Sequence, residues 1–166
     1  MNLNKSNTHI VWTMRTIITM LICITIPLLV GAISSFLTKD AMISFNSMNK
    51  PPLAPPAWLF PVAWTILYIL MGVASFLIYE SNSEDRFMGL LIYGVQLVFN
   101  FIWSLIFFNH DAYIFAAVWL AVMLLMIIAL ILNTARYSMA AMFMLIPYAA
   151  WCCFALYLNI GVAVRN

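Results

Sequence analysis

The charges of this chain fall in clusters, and the gaps between the clusters limit what it can fold into. Residues 16–37, 51–79, 87–109, 112–135 and 137–164 are five stretches of 22, 29, 23, 24 and 28 residues without Asp, Glu, Lys or Arg. A helix rising 1.5 Å per residue needs about 20 residues to cross roughly 30 Å of hydrocarbon. Each gap is long enough for one crossing and too short for two. Only 12 of the 166 side chains are charged, seven Lys/Arg and five Asp/Glu, where a soluble domain carries about a quarter. That shortage excludes an ordinary cytosolic enzyme, a disordered chain and a nucleic-acid binder with a basic face. The net charge of +2 is too small to argue for a charged partner.

The sequence therefore predicts an all-α integral membrane protein. It is a single unit over 1–166, a five-transmembrane-helix bundle with helices near 14–37, 57–79, 86–108, 112–134 and 138–164. An odd number of crossings puts the termini on opposite sides of the bilayer. Lys5 and Arg15 precede the first run, which contains the small residues Val30-Gly31-Ala32 of a possible signal-peptidase site. The apolar run continues through Leu37, longer than a usual signal core, so a retained span is expected. Orientation stays open. The N-terminal side carries Lys5, Arg15, Arg86 and Arg136 and the other side Lys39, Lys50 and Arg165, too even a split for the positive-inside rule.

The connections are unequal. Spans 2 and 3 are joined around Glu80, Glu84 and Asp85, spans 3 and 4 by Asn109-His110-Asp111, and spans 4 and 5 by a turn near Arg136. Such short links make antiparallel neighbours in a bundle. The stretch between spans 1 and 2 is longer and ends Asn49-Lys50-Pro51-Pro52-Leu53-Ala54-Pro55-Pro56. Long loops in compact domains are often lids or binding loops, and a plain linker is the alternative. Four prolines stiffen it without costing helix, since they precede the next one.

Polar residues inside a span are informative, because an amide facing lipid costs several kcal/mol, on the order of a lost hydrogen bond or more. In span 3, Gln96, Asn100, Trp103 or Ser104, and Phe107 share a helical face. In span 2 the face is Trp64, Tyr68, Met71, Ser75 and Tyr79; in span 5 it is Pro147, Tyr148, Trp151, Ala155 and Asn159. Span 1 repeats small residues at Thr19, Cys23, Pro27, Gly31 and Ser35, a stripe suited to close helix packing. Interhelical hydrogen bonds and interfacial aromatic belts would explain these patterns without function. Against that, Trp64, Trp103 and Trp151 lie a turn or more inside their spans. A cavity of indoles with a few amides suits a flat, apolar ligand.

Enzyme constellations are missing. All five carboxylates, at Asp40, Glu80, Glu84, Asp85 and Asp111, lie between spans, which leaves no buried pair for acid–base chemistry. His9 and His110 read as solvated polar residues. Cys23, Cys152 and Cys153 lack metal or redox spacing, so no metal site is expected.

Lys50-Pro51, Pro55-Pro56, Trp58, Pro61, Trp64-Thr65, Leu67-Tyr68 and Met71-Gly72 resemble the signature of the TspO/MBR family, the tryptophan-rich sensory and translocator proteins. The likeness extends to Gln96-Leu97, Asn100, Trp103-Ser104 and Phe107-Phe108, and to Pro147-Tyr148, Trp151, Phe154-Ala155 and Leu158-Asn159. The resemblance implies a five-helix receptor that binds porphyrins such as protoporphyrin or haem, and isoquinoline-type compounds, between the helices under the first loop. Its ligand-binding residues here would be Pro56, Trp64, Tyr68, Asn100, Trp103, Phe107, Trp151 and Ala155. It also implies light-dependent porphyrin breakdown in some members, with Trp64 and Trp151 as the photochemical residues, and homodimers.

Two positions depart from the pattern. Ile160 stands where a cholesterol-recognition tyrosine would be and Tyr157 is eight positions from Arg165, so cholesterol is not an expected partner. Leu53 replaces a tryptophan of several relatives. The missing sterol pattern, with no long basic presequence, points to a bacterial cell membrane. Tetrapyrrole sensor, photochemical catalyst and transporter all remain open at this level; no resident cofactor and no nucleic acid are implied.

Overall fold

The computed structural model describes residues 13–39, 48–109 and 112–166, without the side chain of Asn109. The readings that concern Lys5, His9, Asp40, His110 and Asp111 fall outside these residues. Five helices form: α1 (Met14–Leu37), α2 (Leu59–Tyr79), α3 (Arg86–Asn109), α4 (Tyr113–Thr134) and α5 (Met139–Arg165). All five are long and apolar enough to cross a membrane. The boundaries expected from the charge gaps hold to within about two residues, because charge and turn residues rather than propensity end each helix.

Local chemistry explains two of the starts. Thr13 accepts a hydrogen bond from the Thr16 amide at 3.3 Å, and Ser138 accepts one from the Ala141 amide at 3.3 Å. Each satisfies an amide that the first helical turn leaves without an intrahelical partner. At the α2–α3 link, Arg86 donates to the Ser81 carbonyl at 3.1 Å. The Arg136–Asp85 pair at 3.6 Å ties this link to the α4–α5 turn; both side chains are exposed, so it adds little stability.

The helices are arranged as a ring, in which α2 packs between α1 and α5, α5 on α4, and α4 on α3. Lighter contacts of α3 with α1 and α2 close it. Gly31 faces Tyr68 while Gly72 faces Ile24, so residue numbers run in opposite directions and α1 and α2 are antiparallel. A side chain at Gly72 would meet the α1 backbone, with an added Cβ 2.5 Å from Ile24 Cα. This is the small-residue closeness that membrane helices use in place of a hydrophobic driving force.

The outside of the bundle is apolar: Ile18, Leu21, Ile22 and Leu29 of α1 and Val118, Leu125 and Leu132 of α4 are exposed. The inside holds the amides. Gln96, Asn100, Asn133 and Asn159 are buried, as expected for groups that lipid cannot satisfy. The chain is thus a multi-pass membrane protein. Two details of the expected faces differ. Tyr79, the last residue of its helix, is 42% exposed. In α1 the buried positions are Thr16, Pro27 and Ser34, so the small-residue stripe is only partly the packed face.

Candidate functional site

At the end of the bundle where α1 and α5 finish and α2 begins lies a cavity of about 530 Å³, within the usual range for small-molecule sites. Its walls come from four helices. Leu28, Gly31, Ser34 and Ser35 belong to α1 and Thr38 caps its end, and Phe60, Trp64, Thr65 and Tyr68 belong to α2. Trp103, Ser104, Phe107 and Phe108 belong to α3, and Trp151, Ala155, Leu158 and Asn159 to α5.

The aromatic wall is continuous on one side. The Trp64 ring stacks on Tyr68 at 5.5 Å between centroids and meets Trp103 at 6.4 Å and Tyr148 at 6.2 Å. Trp103 in turn stacks on Phe107 at 5.5 Å. One turn before Trp64 on α2, the Phe60 ring meets Trp151 of α5 edge-on at 6.1 Å. Such contacts hold the rings in fixed orientations and present flat faces to the space between them.

Behind the wall runs a buried chain of hydrogen bonds. The Tyr68 hydroxyl donates to Asn100 Oδ1 at 2.7 Å, Asn100 Nδ2 donates to the Tyr148 hydroxyl at 3.3 Å, and that hydroxyl donates to Gln96 Oε1 at 2.8 Å. A second, shorter chain fixes Trp103. Its indole Nε1 donates to Asn159 Oδ1 at 3.2 Å, and Asn159 Nδ2 donates to the Tyr113 carbonyl at 2.8 Å. These bonds engage both side-chain atoms of Asn100 and Asn159 within the bundle, whereas Gln96 Nε2 and the Tyr93 hydroxyl, away from the cavity lining, are buried without a partner. Trp151 Nε1 is also buried without a hydrogen-bond partner, and it alone of these belongs to a described residue that lines the cavity.

The described part of the first connection is fastened over α5. Pro51 packs on Gly161, the Tyr157 hydroxyl donates to the Pro52 carbonyl at 2.6 Å, and Asn166 exchanges bonds with the Asn49 backbone at 3.2 and 3.1 Å. Between these ties Leu53 has φ 69°, a left-handed conformation that is uncommon for a branched side chain, and it is 82% exposed.

The sequence profile of the TspO/MBR family matches residues 23–165. The chain belongs to the TspO/MBR family. It is similar to a protein named tryptophan-rich protein TspO from Chlorobaculum tepidum, 34% identical over 92% of this chain and 98% of the relative. A tryptophan-rich sensory protein from Cereibacter sphaeroides is 32% identical over 69% of this chain and 75% of its own length. The translocator protein of Ovis aries is 34% identical over 69% and 70%.

Of the eight residues that the family resemblance assigns to a ligand, six line the cavity: Trp64, Tyr68, Trp103, Phe107, Trp151 and Ala155. Two do not. Asn100 is 1% exposed and sits behind Tyr68 as its hydrogen-bond partner, so it positions the wall without forming it. Pro56 is exposed in the approach to α2 and is not part of the lining. The reading from sequence also missed the α1 wall and Phe60. Gly31 and Ser35 were legible only as packing residues, since a small side chain that admits a neighbouring helix looks the same as one that admits a ligand. Phe60 lies one turn before Trp64, and that spacing was the available signal.

Proposed function

We propose that the cavity binds a flat tetrapyrrole, of the protoporphyrin or haem class, and that the chain acts as a membrane receptor or sensor for it. One observation carries the proposal: indole and phenyl rings from three helices line one space, and the unpartnered buried donor among its described lining residues is Trp151 Nε1. A macrocycle offers two extended π-faces to such walls and polar edge groups to the donor. Among the described residues the lining contains no His, Cys or Met, and the Tyr68 hydroxyl is engaged with Asn100. The described lining is therefore suited to hold the macrocycle by its faces and edge. Isoquinoline-type amides fit the same description. The sensory names of the relatives agree with this role.

Light-dependent breakdown of bound protoporphyrin is the chemical extension of the proposal. Trp64 and Trp151, two of the three indoles that line the cavity, would be the photochemical residues, and the excited pigment with dioxygen supplies the oxidant. A second reading, passage of lipophilic small molecules, is favoured by relatives named translocator protein. Coupled transport fits less well, because among the described residues no span has an ionised side chain away from its ends.

Protoporphyrin titrated into detergent-solubilised protein should quench tryptophan fluorescence saturably, and Trp64→Phe with Trp151→Phe should weaken the quenching. Absence of saturable quenching at micromolar pigment overturns the proposal. Illumination of the same samples tests breakdown: bleaching must exceed that of the double variant. Flux of pigment across proteoliposomes, blocked by a tight ligand, would favour the transport reading instead.

A further inference from the structure

The opposite end of the bundle carries a second cavity, unlike the first in chemistry. It has a volume of about 360 Å³ and is lined by Arg15 from the first turn of α1, Tyr79 and Glu80 from the end of α2, Asn82 from the link, and Arg86 and Phe87 from the first turn of α3. Three charged side chains thus border one space at the end of the spans, at the level where phospholipid headgroups lie. No ion pair joins these three side chains to one another among the described residues. Arg86 is braced from one side, donating through Nη1 to the Ser81 carbonyl at 3.1 Å. The rim is amphipathic, with Phe87 73% exposed and Tyr79 42% exposed, as expected of aromatic residues at a membrane interface.

We infer that this cavity holds the headgroup of an aminophospholipid. The phosphodiester would lie between the Arg15 and Arg86 guanidiniums, and the primary ammonium would lie at the Glu80 carboxylate. The charges carry the inference. Two guanidiniums alone would suit any phosphate, and basic pockets between transmembrane helices are recognised headgroup sites. A carboxylate in the same cavity is unfavourable for a purely anionic headgroup and favourable for a zwitterion with a donor ammonium. Choline carries the same charge but no N–H, so it cannot bond to Glu80. Phe87 and Tyr79 place apolar surface where the acyl chains leave the headgroup. The site is remote from the aromatic cavity and independent of its ligand.

The test is retention of added lipid by the full chain in detergent, read by native mass spectrometry and by the shift in thermal unfolding. Phosphatidylethanolamine, phosphatidylglycerol and phosphatidylcholine with identical acyl chains are compared, with soluble phosphoethanolamine as a fourth probe. Phosphatidylethanolamine should bind several-fold more tightly than the other two lipids. Glu80→Gln should remove its advantage over phosphatidylcholine while leaving phosphatidylglycerol unchanged or tighter. Arg15→Gln, a side chain with no ion-pair partner among the described residues, should weaken all phosphate binding by about tenfold. Arg86→Gln also releases the Ser81 carbonyl, so Arg15→Gln and Glu80→Gln serve as the deciding variants. Equal retention of the three lipids overturns the proposal, as does preference for phosphatidylglycerol or indifference to both variants. Soluble phosphoethanolamine binding as tightly as the lipid would replace the lipid with a free phosphate ester and overturn it too.

Discussion

The Tyr68 hydroxyl and Asn100 Oδ1 meet at 2.7 Å directly behind the cavity wall. The ring of Tyr68 faces the cavity and its polar end faces the protein. One residue thereby joins the apolar lining to the buried hydrogen-bonded chain that continues through Tyr148 to Gln96. In hydrocarbon such a chain has no water to fall back on, so removing a central member costs more than removing an end.

Asn100→Ala should therefore destabilise the bundle by about 2–4 kcal/mol, since it orphans the buried Tyr68 hydroxyl at roughly 1–3 kcal/mol and removes one bond to the Tyr148 hydroxyl, which keeps Gln96, at about 1 kcal/mol. Tyr68→Phe keeps the wall and Asn100's bond to Tyr148 but orphans the single buried acceptor Asn100 Oδ1, at a smaller cost of about 1–3 kcal/mol. Thermal unfolding in detergent checks the order; equal effects would mean that the chain is not a connected unit.

Three glycines should behave differently on replacement by alanine. At Gly72 the added Cβ meets α1 backbone at 2.5 Å, and at Gly31 it meets the Tyr68 ring at 2.2 Å, whereas at Gly94 nothing lies within 4 Å. Gly72→Ala should push α1 off α2 and lower the unfolding temperature most. Gly31→Ala should displace a side chain and mainly alter ligand binding. Gly94→Ala should be neutral or stabilise by up to about 1 kcal/mol through helix propensity. Unfolding temperatures and ligand titrations of the three variants separate these outcomes.

Trp151→Phe and Trp103→Phe remove the same indole N–H from different settings. Trp103 already donates to Asn159, so its loss should reduce stability by about 1–3 kcal/mol through the orphaned buried carbonyl. Trp151 has no partner to orphan, so stability should hold. Affinity for a ligand with an edge acceptor should fall about tenfold. Paired unfolding and binding measurements distinguish the two.

The ties of the first connection to α5 should govern access to the aromatic cavity. Tyr157→Phe removes the 2.6 Å bond to Pro52, and Gly161→Ala drives a Cβ to 2.5 Å from the Pro51 ring. Both variants should speed ligand association and dissociation in stopped-flow fluorescence, with less effect on equilibrium affinity. Unchanged rates would mean that ligand enters elsewhere.

The count of spans, their boundaries and the inward direction of Gln96, Asn100, Trp103 and Phe107 were legible in the sequence. The reason is that lipid penalises every charge and every unpaired amide. That penalty acts residue by residue, so pattern alone determined it. The tertiary structure decided which inward residues touch the cavity and which stand behind it. Asn100 and Tyr68 share the inward direction, yet one is scaffold and the other wall, because the distinction depends on distance from a neighbouring helix. Tertiary packing also made Gly31 and Ser35 of α1 into cavity lining, and it gathered Arg15, Glu80 and Arg86 from three chain segments around one space. Helical periodicity specifies direction along a single span. Depth, neighbours and enclosed volume arise only when the spans pack.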